Sequence, residues 1–158
     1  MQTQVVVRKA TRRDLDAIGS LARELMDFHN ALDPFFTRSA DFDALFKQFV
    51  LKNIRSKKAC VLVATVDERI VGYCQGMLEQ HPPSIVNPDY GQILDLCVTE
   101  KYRRTGVGEQ MFAAMCEWFR DKGVRRVEVR HSTFNETAAR FWPKMGFTPY
   151  LRTLFLDL

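Results

Sequence analysis

Apolar positions in the first third of the chain follow one strand pattern and then two helix patterns. Val5–Lys9 is predicted to be a short strand. Thr11 and Asp14 stand three residues apart ahead of an apolar series at helical spacing, which predicts a capped helix over 15–28. A second series at helical spacing predicts another helix from about Ser39 to Ile54.

The middle of the chain is predicted to form three strands. Residues 60–66 are almost continuously apolar, the turn 67–69 follows, and residues 70–78 return, which predicts a hairpin. Three prolines make 81–89 a loop. Residues 92–98 are predicted to be the next strand, because an apolar run resumes there.

The last third alternates helix and strand. A helix is predicted to start near Gly106 and to end at Gly123, followed by a strand over 126–131 and a short helix over 135–145. Residues 147–158 are rich in Leu, Phe and Thr and are predicted to form an exposed strand. Because such an edge invites pairing with a second subunit, we expect a homodimer.

The resulting order, β-αα-βββ-α-β-α-β, predicts a single α+β domain over residues 1–158, with helices layered on a mixed sheet. The chain has 158 residues, of which 46% are hydrophobic, enough to build a core. It has neither an apolar run of membrane-spanning length nor a secretory signal at its start, so we expect a cytoplasmic protein without a membrane partner.

Charge and cysteine spacing exclude further classes. The net charge of +4 is spread along the chain without the dense basic stripe of a nucleic-acid binder, so we expect no nucleic-acid partner. Steeply salt-dependent binding to DNA or RNA would be the sign of that alternative. Cys60, Cys74, Cys97 and Cys116 are widely spaced, which argues against a zinc site or a disulfide framework, and no metal is expected.

One segment carries recognisable chemistry. The strand ending at Val98 leads into 103–108, Arg-Arg-Thr-Gly-Val-Gly, where a helix begins. Glycines let the backbone approach a ligand closely, and the free N–H groups and dipole of a helix N-terminus favour phosphate. Arg103 and Arg104 add charged donors. The residue types therefore indicate a pyrophosphate site, and the alternative is a glycine turn with solvated arginines.

Two motifs resemble those of the GCN5-related N-acetyltransferase (GNAT) superfamily. The first comprises 96–98 and Tyr102-Arg103-x-x-Gly106-Val107-Gly108, similar to the family's (Gln/Arg)-x-x-Gly-x-(Gly/Ala) after a strand. The second, 135–147, is similar to its Asn-x-x-Ala-x-x-Phe-Tyr-x-x-x-Gly-Phe helix. The resemblance implies the GNAT fold, with a mostly antiparallel sheet splayed between strands four and five and about four flanking helices.

The resemblance implies acetyl-CoA as cofactor. Strand groups would hold the pantetheine arm, main-chain amides the pyrophosphate, and the second motif the arm and the adenosine phosphates. The implied cofactor residues are Leu96, Cys97, Val98, Arg103, Arg104, Thr105, Gly106, Val107, Gly108, Glu109, Asn135, Phe141 and Lys144. For Lys144, the alternative is a solvated surface lysine.

The resemblance also implies direct acetyl transfer to an amine, which needs a base, while a proton donor helps the thiolate to leave. The chain departs from the family at Trp142, which replaces the tyrosine that usually donates the proton. Asp95 and His131 are candidate acid–base groups; the alternatives are a paired carboxylate and a core histidine. Three tyrosines are further possible acids: Tyr73, Tyr90 and Tyr150. A CoA-binding module with weak or lost catalysis is the alternative function.

In this family, substrate contacts come from the first two helices and the loop between strands three and four. That places His29, Asp33, Glu79 and Tyr90 as candidate substrate residues. A capping or solvated carboxylate is the alternative for Asp33 and Glu79. The expected acceptor is a primary amine, either of a small molecule or of a protein N-terminus or lysine.

Overall fold

The computed structural model describes residues 4–158, and within them it contains one five-stranded sheet and four α-helices. The strands are β1 (Val5–Lys9), β2 (Ala59–Val66), β3 (Arg69–Gln80), β4 (Asp89–Val98) and β5 (Val127–Val129). The helices are α1 (Leu15–Leu32), α2 (Phe42–Arg55), α3 (Val107–Asp121) and α4 (Glu136–Lys144). No helix among the described residues is both long and apolar enough to cross a membrane.

The strands lie in the sheet in chain order, β1 to β5. Neighbours from β1 to β4 pair antiparallel, and β5 alone runs parallel to its neighbour, β4. The hairpin between β2 and β3 turns at Asp67 and Glu68, both with positive φ (47° and 63°), as a tight hairpin turn requires. The predicted mixed, mostly antiparallel sheet with about four helices is confirmed.

The sheet opens between β4 and β5. The two strands pair over 91–93 and 127–129, and beyond Ile93 no strand of the described chain pairs with β4 on that side. This gap, which we call the β4–β5 gap, confirms the predicted splay. β5 ends at Val129, so the prediction that it extends to His131 is wrong.

A bulge in β4 decides which side chains face each side of the sheet. Gln75 lies opposite Asp95 and Gly76 opposite Ile93, so Leu94 is an extra residue in β4. Ile93 therefore packs towards α3, whereas Asp95, two residues on, lies with Cys97 on the side of α1 and α2.

The sheet separates two apolar cores. The first lies beneath α3 and α4 and contains Cys60, Leu62, Ala64, Val66, Val71, Cys74, Ile93, Val107, Met111, Met115, Phe119 and Trp142. The second lies beneath α1 and α2 and contains Ala10, Ile18, Leu21, Ala22, Val50, Val61, Val63, Tyr73 and Cys97. Successive residues of β2 contribute to opposite cores, which explains its continuous apolar run.

Two boundaries differ from prediction. α2 begins at Phe42, whose N–H donates to the Ser39 carbonyl (3.2 Å), so the chain turns once before the helix starts. Residues 147–158 contain no strand, and that prediction is wrong. A strand requires a neighbouring backbone to pair with, and no described strand lies against this segment.

Candidate functional site

The turn between β4 and α3 presents a row of main-chain donors. Arg104 and Gly106 adopt positive φ (62° and 87°), and Gly106 is the N-cap of α3. The first main-chain bond into the helix runs from the Gln110 N–H to the Gly106 carbonyl (3.1 Å). The N–H groups of 104–109 have no main-chain acceptor among the described residues, and that of Glu109 faces its own carboxylate. Such a concave run of amides at a helix N-terminus suits a pyrophosphate.

Different structural constraints act at the two glycines of this turn. Gly106 needs the left-handed conformation, which disfavours any other residue. A Cβ on Gly108 would lie 3.4 Å from the Phe141 ring and 3.6 Å from Leu96, which is ordinary contact. Gly108 therefore marks the point where α3, α4 and β4 approach one another, and an alanine would fit there.

Arg103 is committed to the protein itself. Its Nε donates to the Val98 carbonyl (2.8 Å), and its terminal nitrogen pairs with Glu24 of α1 (3.2 Å). Glu24 also accepts from the Thr99 hydroxyl (3.1 Å) and the Glu100 N–H (3.2 Å). The interpretation of Arg103 as a phosphate donor is therefore not supported, because its guanidinium joins the turn to α1. Arg104 is exposed.

β4, the strand before this turn, has no described partner on the side of the β4–β5 gap after Ile93. Leu96, Cys97 and Val98 lie in this unpaired part of the strand. Cys97 points away from the cofactor side, is buried, and its thiol lies 3.6 Å from the Leu21 carbonyl. Burial, the largest cause, raises the pKa of Cys97 to about 12, so no thiolate forms at neutral pH. The thiol is structural. The main chain on either side faces no described partner strand in the gap, although the Val98 carbonyl already accepts from Arg103.

Asp95 is the titratable group in β4 next to the gap. Its Oδ2 accepts a hydrogen bond from Gln75 Nε2 (2.9 Å). Burial raises the pKa of Asp95, opposed by the Gln75 hydrogen bond and by the nearby His29. The pKa of His29 is lowered, mainly by burial, and the charge of Asp95 opposes that shift. The sequence candidates Asp95 and His29 are therefore near enough for the charge of each to act on the pKa of the other.

Comparison with known proteins is consistent with this geometry. The model of the acetyltransferase (GNAT) family matches residues 22–147, most of the chain. The chain belongs to the acetyltransferase (GNAT) family. The crystal structure of a tetramutant of the BH1408 protein from Bacillus halodurans is 29% identical, with a TM-score of 0.86, covering 97% of this chain and 99% of that one.

Two further relatives carry names that describe an activity. An N-alpha-acetyltransferase of Sulfurisphaera tokodaii is 26% identical over 106 residues, covering 63% of this chain and 62% of that protein. The chain thus spans less than two thirds of this relative. The aminoglycoside N-acetyltransferase AAC(6')-Iy, solved in complex with CoA, is 17% identical with a TM-score of 0.77, covering 100% and 97% of the two chains. That likeness shows a shared fold.

The cofactor of this GNAT family, acetyl-CoA, fits the residues present. A pyrophosphate needs donors, and the turn offers the unbonded amides of 104–109. A narrow pantetheine arm needs an open strand edge, and β4 offers one from Leu94 to Val98. The described residues hold no group of three or more His, Cys, Asp and Glu side chains that would bind a metal ion.

The second GNAT motif forms α4, whose side chains serve mainly structural contacts. Asn135 is buried and caps the helix, its Oδ1 accepting from the Ala138 N–H (3.0 Å). Phe141 faces Gly108. Lys144 pairs with Glu109 (2.9 Å), so both predicted cofactor residues are bound to each other in this structure. The ion pair lies beside the amide row, at the start of α3.

Trp142, at the position of the usual GNAT tyrosine, belongs to the core. Its indole is buried and packs against the rings of Phe112, Phe141 and Phe147 at centroid distances of 6.1, 4.9 and 5.2 Å. An indole has no acidic proton for catalysis at neutral pH. The structure therefore gives this position a packing role.

His131 lies apart from Asp95 in the fold. β5 ends at Val129, and His131 is exposed in the following loop with its Nδ1 2.9 Å from the Ser132 carbonyl. The expectation that it continues the alternation of Val127 and Val129 is wrong, because the strand stops where its pairing with β4 stops. Nothing in its contacts supports a role as acid or base.

The remaining substrate candidates occupy two other places. Asp33 caps the turn after α1, accepting from the Phe35 N–H (3.0 Å), so its alternative interpretation as a capping carboxylate fits. Glu79 and Tyr90 face each other across β3 and β4, and Tyr90 stacks on His81 (4.2 Å). His29 alone of the four is close to Asp95.

The three candidate tyrosine acids all have raised pKa values. Burial raises that of Tyr73 well above 10 and also raises that of Tyr90. The hydrogen bond with Glu128 is the main cause for Tyr150. A higher pKa makes a phenol a weaker acid, so these side chains are poorly suited to protonate a thiolate.

Sequence reasoning missed three polar side chains on the α1–α2 side of the sheet. Gln75 and Asn53 are fully buried behind Asp95, and Glu128 of β5 receives His81 Nε2 and Arg126 Nε, both at 3.0 Å. Alternation within β3 and β5 was the available signal. Polar residues that interrupt an apolar strand at every second position share one face.

Proposed function

We propose that this protein is an acetyl-CoA-dependent N-acetyltransferase, acting as one domain, that moves an acetyl group directly to a primary amine. One observation carries the proposal. A row of unbonded amides at the start of α3 adjoins the open edge of β4, and a carboxyl group with a raised pKa, Asp95, lies in that same strand. These features supply a place for the cofactor and a proton acceptor within one strand and turn.

Acetyl-CoA, when bound, supplies a thioester carbonyl that is open to attack by a neutral amine. The amides of 104–109 hold the pyrophosphate, and Glu109 and Lys144 lie at the rim of that turn. Unpaired main-chain N–H groups of β4 serve as donors to the developing oxyanion. Asp95 accepts the proton from the incoming ammonium, which leaves a neutral amine.

His29 assists at the same place. Its lowered pKa keeps the imidazole neutral at pH 7, so it carries no positive charge that would repel an ammonium. Its ring packs near Phe28 and Phe36, which form an apolar wall beside it. Because Trp142 and the tyrosines offer no suitable acid, we propose that the thiolate leaves without a tyrosine donor.

The acceptor is a primary amine of a small molecule or of a protein N-terminus or lysine. The carboxylate of Asp95 and the aromatic wall of His29 and Phe36 support a cationic group carried on an apolar or flat body. The relatives' names, an N-alpha-acetyltransferase and an aminoglycoside N-acetyltransferase, support the choice of these two amine classes for testing.

A thiol-release assay with acetyl-CoA over an amine panel tests the proposal. The panel contains peptide N-termini, peptide lysines, aminoglycosides and linear diamines, and acetyl-CoA affinity is measured in parallel by calorimetry. We expect turnover of at least one class, and a loss of about 100-fold or more in kcat for Asp95→Asn with acetyl-CoA affinity unchanged. Absence of both binding and turnover would overturn the proposal.

A second candidate function has its own observation. Trp142 is locked in the core where a catalytic tyrosine usually lies, which favours a CoA-binding module with weak or lost catalysis. Acetyl-CoA binding without turnover of any amine in the panel would favour this module over the enzyme.

Two further features are part of the proposal. A homodimer is supported by the exposed apolar residues at the chain's end, among them Leu154 and Phe155. A cytoplasmic location is supported by four free cysteines, since unpaired thiols are typical of a reducing compartment.

A further inference from the structure

A row of three polar side chains runs through the sheet towards the β4–β5 gap. Asn53 Nδ2 of α2 donates to Gln75 Oε1 of β3 (3.1 Å), and Gln75 Nε2 donates to Asp95 Oδ2 of β4 (2.9 Å). Gln75 and Asn53 are 0% and 3% exposed, while Asp95 is half-buried. Two amides are thus fully removed from water, and only the carboxyl end of the row keeps solvent contact.

Burying two amide side chains costs free energy unless each has a hydrogen-bond partner, so their presence at buried positions calls for an explanation. The surrounding core is apolar: Val50, Val61 and Val63 are buried on the same side of the sheet. Leucine or methionine would fill such positions without any polar requirement. The side chains present instead form a relay of hydrogen bonds that ends on one oxygen of Asp95.

The direction of the relay favours the ionised carboxyl group. Asn53 donates, so Gln75 must turn its oxygen towards α2 and its NH₂ towards β4. An NH₂ donor stabilises a carboxylate and lowers its pKa, against the effect of burial. If both amides turned round, Gln75 would present an oxygen and Asp95 would have to carry a proton to bond with it.

The bulge in β4 completes the arrangement. In a regular strand Ile93 and Asp95, two residues apart, would share one face, and Asp95 would enter the core beneath α3. Because of the bulge at Leu94, Asp95 instead lies opposite Gln75 and next to the gap. The backbone irregularity and the two buried amides therefore act on the same side chain.

We propose that Gln75 and Asn53 are positioning residues that hold Asp95 in the ionised, fixed state required of the general base. This inference rests on the proposed function, in which Asp95 accepts the proton of the amine. Neither amide reaches the gap itself. They act through Asp95 Oδ2.

Other titratable groups also surround Asp95, and the test must separate them from the amides. His29 approaches from α1, Tyr73 from β3 and Cys97 from β4 itself, while Cys74 of β3 lies on the opposite face of the sheet. Raised pKa values keep the tyrosine and both thiols neutral over the working range, so His29 is the one of these four groups that titrates near Asp95. From α2 the described contact is the neutral Asn53.

The experiment is the pH dependence of kcat for wild-type protein, Gln75→Met, Asn53→Leu and the double variant. An amine of known pKa is used, so that its own ionisation can be divided out. Gln75→Met removes the donor, and we expect the acidic limb to move up by about one pH unit, so that kcat at a fixed pH below the limb's midpoint falls about tenfold. Asn53→Leu is expected to move it in the same direction by less.

Two comparisons make the result specific. In the double variant the limb should move no further than with Gln75→Met alone, because Asn53 acts through Gln75. Asn53→Asp should move it further than Asn53→Leu, because an ionised aspartate accepts and turns the Gln75 oxygen towards Asp95. Cys74→Ala, in the same strand but on the opposite face, is the matched control and should leave the limb in place.

The outcomes separate this inference from the proposed function. If Asp95→Asn abolishes turnover while Gln75→Met and Asn53→Leu leave the acidic limb unmoved, the positioning role is wrong and the assignment of Asp95 as the general base stands. If Asp95→Asn turns over normally, the base assignment itself fails. Acetyl-CoA affinity and thermal unfolding are measured for each variant, and should Gln75→Met not fold, the contrast between Asn53→Leu and Asn53→Asp decides.

Discussion

The Tyr73 side chain combines a well-packed ring with a buried hydroxyl group that has no hydrogen-bond partner among the described residues. It is fully buried between β3 and α2, with its ring at 6.3 Å from that of Phe46. Its hydroxyl lies near Asp95. Among the buried side-chain polar atoms of the described residues, this hydroxyl is the one without a hydrogen-bond partner. Such a group loses its hydration on folding without compensation. The ring therefore stabilises the protein while the hydroxyl destabilises it.

Tyr73→Phe should stabilise the fold, because it removes the unsatisfied hydroxyl and keeps the ring. We expect a gain of about 1 kcal/mol in the free energy of unfolding, measured by urea denaturation at pH 7. Tyr73→Leu, which also removes the ring, should lose about 2 kcal/mol or more. A loss of stability in Tyr73→Phe would mean that the hydroxyl is bonded in solution.

Residue types alone identified the amide row and Asp95 but not the role of Arg103. Glycine content and helix position depend on local backbone conformation, which the sequence encodes directly. The guanidinium of Arg103 is instead taken up by Glu24, 79 positions away in the chain. A side chain that has a distant partner cannot be assigned from its neighbours in sequence.

At the scale of elements, the junction between β1 and α1 is held by one carboxylate. Asp14 accepts two hydrogen bonds from Arg8 (2.8 and 2.9 Å) and others from the Thr11 N–H and hydroxyl (2.7 and 3.1 Å). The Arg8 hydrogen bond is the main cause that lowers the pKa of Asp14 from 3.8 to about 2. The predicted capping box is present, with an arginine partner that the sequence pattern did not include.

Asp14→Asn should destabilise the protein by about 2 kcal/mol at pH 7, since the pKa of Asp14 falls by almost two units on folding. Because the folded pKa is the lower one, this stabilisation is present above pH 4 and is lost as the pH falls towards 2. The difference in unfolding free energy between wild type and variant should therefore shrink over that window in a urea titration.

Asp16→Asn is the matched control for this prediction. Asp16 lies two residues further along the chain, in the first turn of α1, and pairs with Lys47, but its side chain is almost fully exposed. Exposed pairs contribute little, so no measurable change in stability is expected at any pH. Equal effects at both positions would contradict the assignment of Asp14 as the junction.

At the scale of the whole molecule, the last residues of the chain form an exposed apolar surface that the fold leaves uncovered. Tyr150 lies over the Arg126 guanidinium at 4.5 Å, and beyond it the apolar residues Leu151, Leu154, Phe155, Leu156 and Leu158 are all exposed. β5 pairs with β4 on one side and with no described strand on the other. A second copy of the chain could cover the exposed apolar segment and pair with the open edge of β5 in one interface.

Replacing Leu154 and Leu156 with aspartate should convert the proposed dimer to monomer. Both protomers carry the two substitutions, so four leucines would leave the proposed interface at a cost of about 6 kcal/mol, which corresponds to a dissociation constant raised about 10,000-fold. Analytical ultracentrifugation from 1 to 100 micromolar measures the change. Val86→Asp, at an exposed apolar residue in the loop between β3 and β4, is the control and should leave the dimer intact. A wild-type monomer throughout this range would contradict the dimer.

The sequence by itself determined the order of elements from β1 to α4, the cofactor turn and the splayed sheet, because apolar periodicity, glycine conformation and two family motifs are local properties of the chain. Tertiary structure alone decided that Asp95 meets Gln75, Asn53 and His29, that Trp142 lies in the core, and that His131 lies outside β5. The meeting of Asp95 with Gln75 depends on register, since one extra residue in β4 reverses the faces of the residues that follow. The other two depend on how α4 packs against the sheet and on where the pairing of β5 with β4 stops.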